Sequence, residues 1–340
     1  MAAPDRVRVG MYGAGAHAVT QHLPNLKSIP GADVVAVCDI DGGKARSAAR
    51  EFDIPAAYSD GLEMVERESL DALWSVVPAA ARPAVEIAAA ENGAHLFCEK
   101  PQTLDMKTAL DIDDALERNG LLGTVCFRER YRPIFQEAKR LLADKEIVHV
   151  RFQSTDRLPP PDPDAATPGW ETIIECHANS LGWGPHAIDY VRYVSGLDVG
   201  TAQAFFCERE PYRVPLSAPC SFRLSNGATM TMTFLQTSPE SPANEAWFLF
   251  YYEGGYLAIH RGYSHIEMNG ETVYVSEEFQ PWRELDRTFI EAIRSGSGRG
   301  LRSDFNDGLK TLAPLLAAWE SSRRGGVPVD VDSFVEASRA

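Results

Sequence analysis

The run Gly13-Ala14-Gly15-Ala16-His17-Ala18 stands between a short apolar stretch, residues 7–12, and an amphipathic segment. A strand that turns on glycines directly into a helix leaves a chain few options. The helix must cover the sheet, and the next strand must return parallel to the first. The alternation continues downstream. Strands are predicted over 6–12, 33–39, 71–77, 95–98 and 121–127, and helices over 14–28, 43–51, 83–92 and 106–119. Short links between them imply a doubly wound parallel sheet. Pro24 falls inside the first helical pattern, where it removes a backbone bond, so that helix is expected to kink or break.

After about residue 135 the texture changes. Runs over 147–154, 201–208, 220–224, 229–236, 246–253, 255–261 and 271–275 are rich in β-branched and aromatic residues. Asn226-Gly227 and Gly254-Gly255 read as tight turns between paired strands. Helices are expected over 185–194, 282–295 and 304–323. The segment 158–169 carries five prolines and is read as a stiff loop. The expected architecture is α/β. A dinucleotide-type doubly wound domain spans 1–122. An α+β domain with a large, mostly antiparallel open sheet spans 123–340, its last helices packing back toward the first.

A length of 340 residues fits two domains, and 44% apolar residues suffice for a sizeable core. The net charge of −15 argues against a protein that grips nucleic-acid backbones. The six cysteines form no CxxC pair and read as reduced thiols. With no apolar leader and no membrane-length apolar run, the expectation is a cytoplasmic protein without a membrane partner.

The glycine motif matches G-x-G-x-x-A. Gly13 permits the tight turn, Gly15 lets a pyrophosphate approach the backbone, and Ala18 allows close helix–strand packing. The helix start at Ala16 and His17 supplies N–H groups and a positive dipole end. Asp39, ending the second strand, is placed to accept from both ribose hydroxyls. It favours NAD, since it would repel a 2′-phosphate. Lys44 and Arg46 follow closely and keep NADP possible.

A second motif, Cys98-Glu99-Lys100-Pro101, ends a buried-type strand in adjacent opposite charges. Ligands of open α/β sheets sit outside the carboxyl ends of the strands, which puts Lys100 where a nicotinamide ring would lie. Alcohol oxidation removes a hydride from carbon and a proton from oxygen. A lysine there can hold the oxygen and relay that proton.

Taken in order, Gly13–Ala18, Asp39, Pro78, Asn92-Gly93, Cys98–Pro101, Phe127–Pro133 and Gly184-Pro185-His186-Ala187-Ile188-Asp189 resemble the glucose–fructose oxidoreductase, inositol dehydrogenase and MocA-type (Gfo/Idh/MocA) family. The resemblance extends to Phe289–Ile293 and Trp319–Ser321 and so covers nearly the whole chain. It implies a Rossmann domain, hydride transfer on a carbohydrate or cyclitol, and a homodimer or homotetramer. It makes Lys100 the family lysine and His186 its proton-handling partner. Pro78, Glu99 and Arg128 join the expected cofactor site. His177, Asn179 and Trp170 join the expected substrate site.

The match departs at two places. Gly182 stands where the family usually has aspartate, and Arg82 where many relatives have histidine. The proton-relay part of the site is therefore altered while the cofactor part is intact. Two other readings stay open: a non-catalytic NAD(P)-binding regulator, and a lyase or glycoside-cleaving enzyme that recycles its NAD. No metal is expected, since Glu175, Cys176, His177 and His186 show no regular ligand spacing.

Overall fold

The computed structural model describes residues 5–156, 158, 161, 184–212, 214–237 and 246–339. The chain divides into two units. One runs to Tyr131 and takes in Gln280–Leu309; the other comprises Arg132–Phe279 and Lys310–Ala340.

The first unit holds a parallel sheet of β1 (Val7–Tyr12), β2 (Ala32–Cys38), β3 (Ala56–Tyr58), β4 (Ala72–Ser75), β5 (His95–Cys98) and β6 (Gly123–Val125). Their order is β3-β2-β1-β4-β5-β6. Strands covered on both faces need apolar residues throughout, and β2 and β4 show it: Val34–Cys38 and Ala72–Trp74 are all buried. Trp74 and Phe97 stack at 5.1 Å, and Phe289 of the Pro281–Ser295 helix closes over both. Strand order reverses between β1 and β4, so a crevice opens beyond their carboxyl ends.

Two elements here lie outside the sequence expectation, β3 and the helix Gly61–Arg67. β3 is a three-residue edge strand with no fully buried residue, which leaves little hydrophobic signal. The helix declares itself by its cap, Asp60, whose carboxylate accepts from Leu62 and Glu63 N–H. The break expected at Pro24 takes the form of a widened turn. Ala18–His22 is π-helical, and Leu23 N–H reaches back five residues to Ala18 O before a regular α-helix, Leu23–Ser28, begins.

The second unit is built on a sheet ordered β14-β13-β12-β11-β7-β10-β9-β8-β15 among the described residues. The strands are β7 (Ile147–Asp156), β8 (Val199–Ala204), β9 (Ser217–Leu224), β10 (Thr229–Gln236), β11 (Ala246–Tyr252), β12 (Gly255–His260), β13 (His265–Met268), β14 (Glu271–Val275) and β15 (Val329–Asp330). Among the described residues every neighbour pair is antiparallel except β7 with β10. Along β9 burial alternates strictly, as one face packs and the other meets water. The packed face gathers Phe152, Phe234 and Phe248 with Phe135 and Tyr190 from the helices Pro133–Leu141 and Gly184–Ser195. The expected strand over 201–208 ends at Ala204. The strands β13 and β15 and the helices Pro133–Leu141 and Val331–Ser338 were not anticipated. Among the described residues no helix is long and apolar enough to cross a membrane.

Candidate functional site

The carboxyl ends of β1, β2, β4, β5 and β6 converge on one edge of the first unit. Gly13 follows β1 at φ +116°, and its N–H donates to Cys38 O at 2.7 Å. A Cβ there would run into the Val76 carbonyl, so only glycine fits. Gly15 differs: a Cβ built on it meets nothing within 4 Å. The open space faces the start of the helix, as an approaching pyrophosphate requires.

Asp39 is held from both sides. Its Oδ2 accepts from Ala14 N–H at 2.9 Å and its Oδ1 from Asp41 N–H at 2.9 Å. Each oxygen keeps a lone pair for a ribose hydroxyl. Lys44 and Arg46 are exposed on the helix Gly42–Glu51 that Asp41 caps. Ala16 is exposed at the helix start and Pro78 is exposed past β4. These residues could hold a dinucleotide, with open space at Gly15 and the Asp39 carboxylate at the end of β2.

The β5 turn is built from beneath by Arg82. This buried side chain donates from Nε to Val77 O at 2.7 Å and from Nη1 to Glu99 O and, at 2.6 Å, to Pro101 O. The residue that departs from the family pattern therefore braces the backbone that carries Lys100. Lys100 itself is half-buried. Burial pushes its pKa down, Arg128 and Arg82 add to the fall, and Glu99 opposes it. Cys98 and Cys126 are buried in the core, and burial raises both thiols well above their ordinary range.

Glu99 is buried and takes part in a cluster the sequence did not reveal. His17 Nε2 lies 3.0 Å from Glu99 Oε1, and His22 Nε2 lies 3.3 Å from the same oxygen. His22, fully buried, donates from Nδ1 to Asp286 Oδ1 at 2.9 Å. Asp286 also accepts from Trp74 Nε1 at 3.0 Å and from Asn25 Nδ2 at 2.9 Å. Burial opposes charge on His22, but Asp286 and Glu99 outweigh it and pull its pKa to about 10. Burial likewise opposes charge on Glu99, and its bonds to His17 and His22 carry its pKa well below the usual range. His17, expected at the cofactor, is exposed yet directed at Glu99, its ring edge-on to Trp282 at 5.9 Å.

Arg128 lies past β6 with its guanidinium 4.0 Å from the centre of the Trp282 ring and its Nε 2.9 Å from Glu129. The rest of that motif locks locally: Arg130 pairs with Asp307 at 2.7 Å and donates to Arg302 O at 2.6 Å.

The second unit carries His186, buried in the helix Gly184–Ser195, its ring stacked on Tyr190 at 5.5 Å. Asp189, one turn on, is fully buried and accepts from the Thr311 hydroxyl at 3.4 Å. Trp170, His177, Asn179 and Gly182 lie outside the described residues.

Comparison with known proteins matches residues 7–127 to the Gfo/Idh/MocA oxidoreductase family, described by its NAD-binding Rossmann fold. The scyllo-inositol 2-dehydrogenase (NAD(+)) of Bacillus subtilis (strain 168) is 30% identical over 198 residues, covering 57% of this chain and 55% of that protein. The alignments thus span about half the length of the curated relatives. An oxidoreductase of Agrobacterium radiobacter, solved with NAD+, L-tartaric acid and magnesium, shares the fold at a TM-score of 0.80. It is 20% identical and covers 97% of this chain and 99% of its own. A levoglucosan dehydrogenase solved with NADH and L-sorbose aligns at 0.81 with 18% identity, covering 97% and 100%.

Proposed function

We propose that this chain, whose residues 7–127 match the Gfo/Idh/MocA oxidoreductase family model with its NAD-binding Rossmann fold, is an NAD-dependent dehydrogenase acting on a CH–OH group of a sugar, amino sugar or cyclitol. The observation that carries this reading is the half-buried, braced Lys100 at the end of β5, on the same strand-end edge as the Gly13–Asp39 cradle. The similar proteins include inositol and sugar dehydrogenases, one of them solved with NADH, and this supports the substrate class.

Bound NAD supplies the acceptor for a hydride. The chain's own residues do the rest. Ala14 N–H holds Asp39 so that its carboxylate meets the ribose, and the bare Gly15 leaves the backbone free for phosphate. Lys100 holds the substrate oxygen through its ammonium. Burial lowers its pKa, which eases the loss of a proton from it. His186 is the second proton-handling group, a buried imidazole at the start of its helix. His177, Asn179 and Trp170 contact the substrate, and Arg128, stacked on Trp282, borders the nicotinamide. Self-association as a homodimer or homotetramer belongs to the same reading, and light scattering decides it.

The test follows nicotinamide absorbance while polyols, cyclitols and keto-sugars are screened with wild type and Lys100→Ala. Turnover is expected on at least one cyclic polyol, falling by about 10²-fold or more in the variant, the scale of a lost acid–base group. Turnover that survives removal of Lys100 unchanged would refute the role assigned to it.

A further inference from the structure

We propose that His17, His22 and Glu99 form a binding site for a divalent transition-metal ion of the zinc class. The three residues each turn one donor atom inward, and all three donors lie within 4.8 Å of one another. Glu99 Oε1 is 3.0 Å from His17 Nε2 and 3.3 Å from His22 Nε2. Donors around a four-coordinate zinc stand about 3.4 Å apart, given bonds of about 2.0–2.2 Å. The two pairs at Glu99 open slightly to admit an ion, and the two imidazole nitrogens, within 4.8 Å of each other, adjust to the same spacing.

The backbone explains why two histidines five residues apart meet. On a regular α-helix, residues i and i+5 point about 140° apart. The i→i+5 bonding of Ala18–His22 returns the chain to the same side after five residues instead. The two imidazoles consequently face one another edge-on at 5.3 Å. Pro24, which has no N–H to continue the α-helical ladder, stands just beyond this widened turn.

A second observation points to a ligand independently of the donor cluster. Metal-binding histidines nearly always give their other ring N–H to a carboxylate, which sets the tautomer and aims the free nitrogen. His22 does this: Nδ1 donates to Asp286, which is itself held by Trp74 and Asn25. Nε2 is left pointed at Glu99, and a bound ion takes the place of the proton those two groups share. Charge agrees as well. Glu99 and Asp286 are two buried carboxylates with His22 between them, and a dication balances both. His17 is exposed and supplies the entry path, with a fourth position open to water. Two imidazole nitrogens and one carboxylate oxygen suit zinc, cobalt or nickel, not magnesium, which prefers all-oxygen shells. Because Glu99 immediately precedes Lys100, the bound ion places positive charge beside the lysine.

The site stands whether or not the chain is a dehydrogenase, and its test reads metal directly. Tag-free full-length protein, with and without NAD+, is dialysed against zinc and analysed for bound metal. The cobalt-loaded form is examined for visible ligand-field bands. One zinc per chain and a tetrahedral-type cobalt spectrum are expected. His17→Ala removes an exposed ligand without touching the core and is expected to weaken zinc binding by about 10–100-fold; Asp286→Asn is expected to do the same through His22. Cys207→Ser removes the least buried described thiol and is expected to leave the stoichiometry at one. Wild type that retains no zinc, zinc binding unaltered by His17→Ala, or binding lost in Cys207→Ser would each overturn the proposal.

Discussion

Gly13 and Gly15 occupy one turn and do different work. Gly13 sits at φ +116° against the Val76 carbonyl, so Gly13→Ala strains the fold itself. A loss of roughly 1–3 kcal/mol is expected in chemical unfolding. Gly15 has open space where a Cβ would go, so Gly15→Val is expected to leave the unfolding midpoint near wild type and to weaken NADH binding at least tenfold. Equal destabilisation by both substitutions would contradict this division. Asp39 is tied to the backbone on both sides, and the proposed function has it read the ribose. Asp39→Ser is expected to improve NADP over NAD by tenfold or more in paired fluorescence titrations. An unchanged ratio would mean that another group selects the cofactor. These three residues were legible in the sequence because local geometry dictates them. His22 was not, since its partners Glu99 and Asp286 stand 77 and 264 residues away and nothing local pairs them.

Among the elements, the β5 turn and the helix after β1 show how much one side chain shapes a site. Arg82, read from sequence as a sign of an altered relay, satisfies the carbonyls of Val77, Glu99 and Pro101 inside the protein. Arg82→Met leaves those acceptors buried without their donor. A loss on the order of 3 kcal/mol is expected, together with a lower turnover through displaced Lys100. Thermal unfolding within a degree of wild type would contradict the bracing role. In the second unit Arg192 pairs with Asp198 at 2.8 Å, and Lys310 reaches the same carboxylate at 3.1 Å. Partial burial raises the Asp198 pKa, but Arg192 and Lys310 outweigh it and hold it below the ordinary value. The pair therefore adds stability above the ordinary carboxylate range, and this is lost as pH falls through the folded-state value. Asp198→Asn is expected to flatten the acid limb of urea stability below about pH 4. An acid limb identical to wild type would contradict it. Pro24 announced a disturbance in its helix, but not that the disturbance would be a widened turn. The turn and the helix after it are tied to the Pro281–Ser295 helix by bonds from His22 and Asn25 to Asp286, partners far away in sequence.

At the scale of the whole molecule, alternating strands and helices made the parallel sheet readable, and the β-rich second half made the mixed sheet readable. The parallel β7–β10 pair escaped because its partners are joined through long intervening chain, with no turn signal between them. The short edge strands β3 and β15 bury too little to leave a pattern. The recruitment of Gln280–Leu309 into the first unit likewise rests on contacts distant in sequence. Under the proposed function this chain couples bound NAD to a substrate oxygen held by Lys100. Single-turnover hydride transfer in Lys100→Met, saturated with NADH and a ketone substrate found by the screen, tests it most directly. NADH binding within about twofold of wild type with a transfer step slowed by about 10²-fold or more is the predicted result. A transfer step as fast as wild type would contradict the claim.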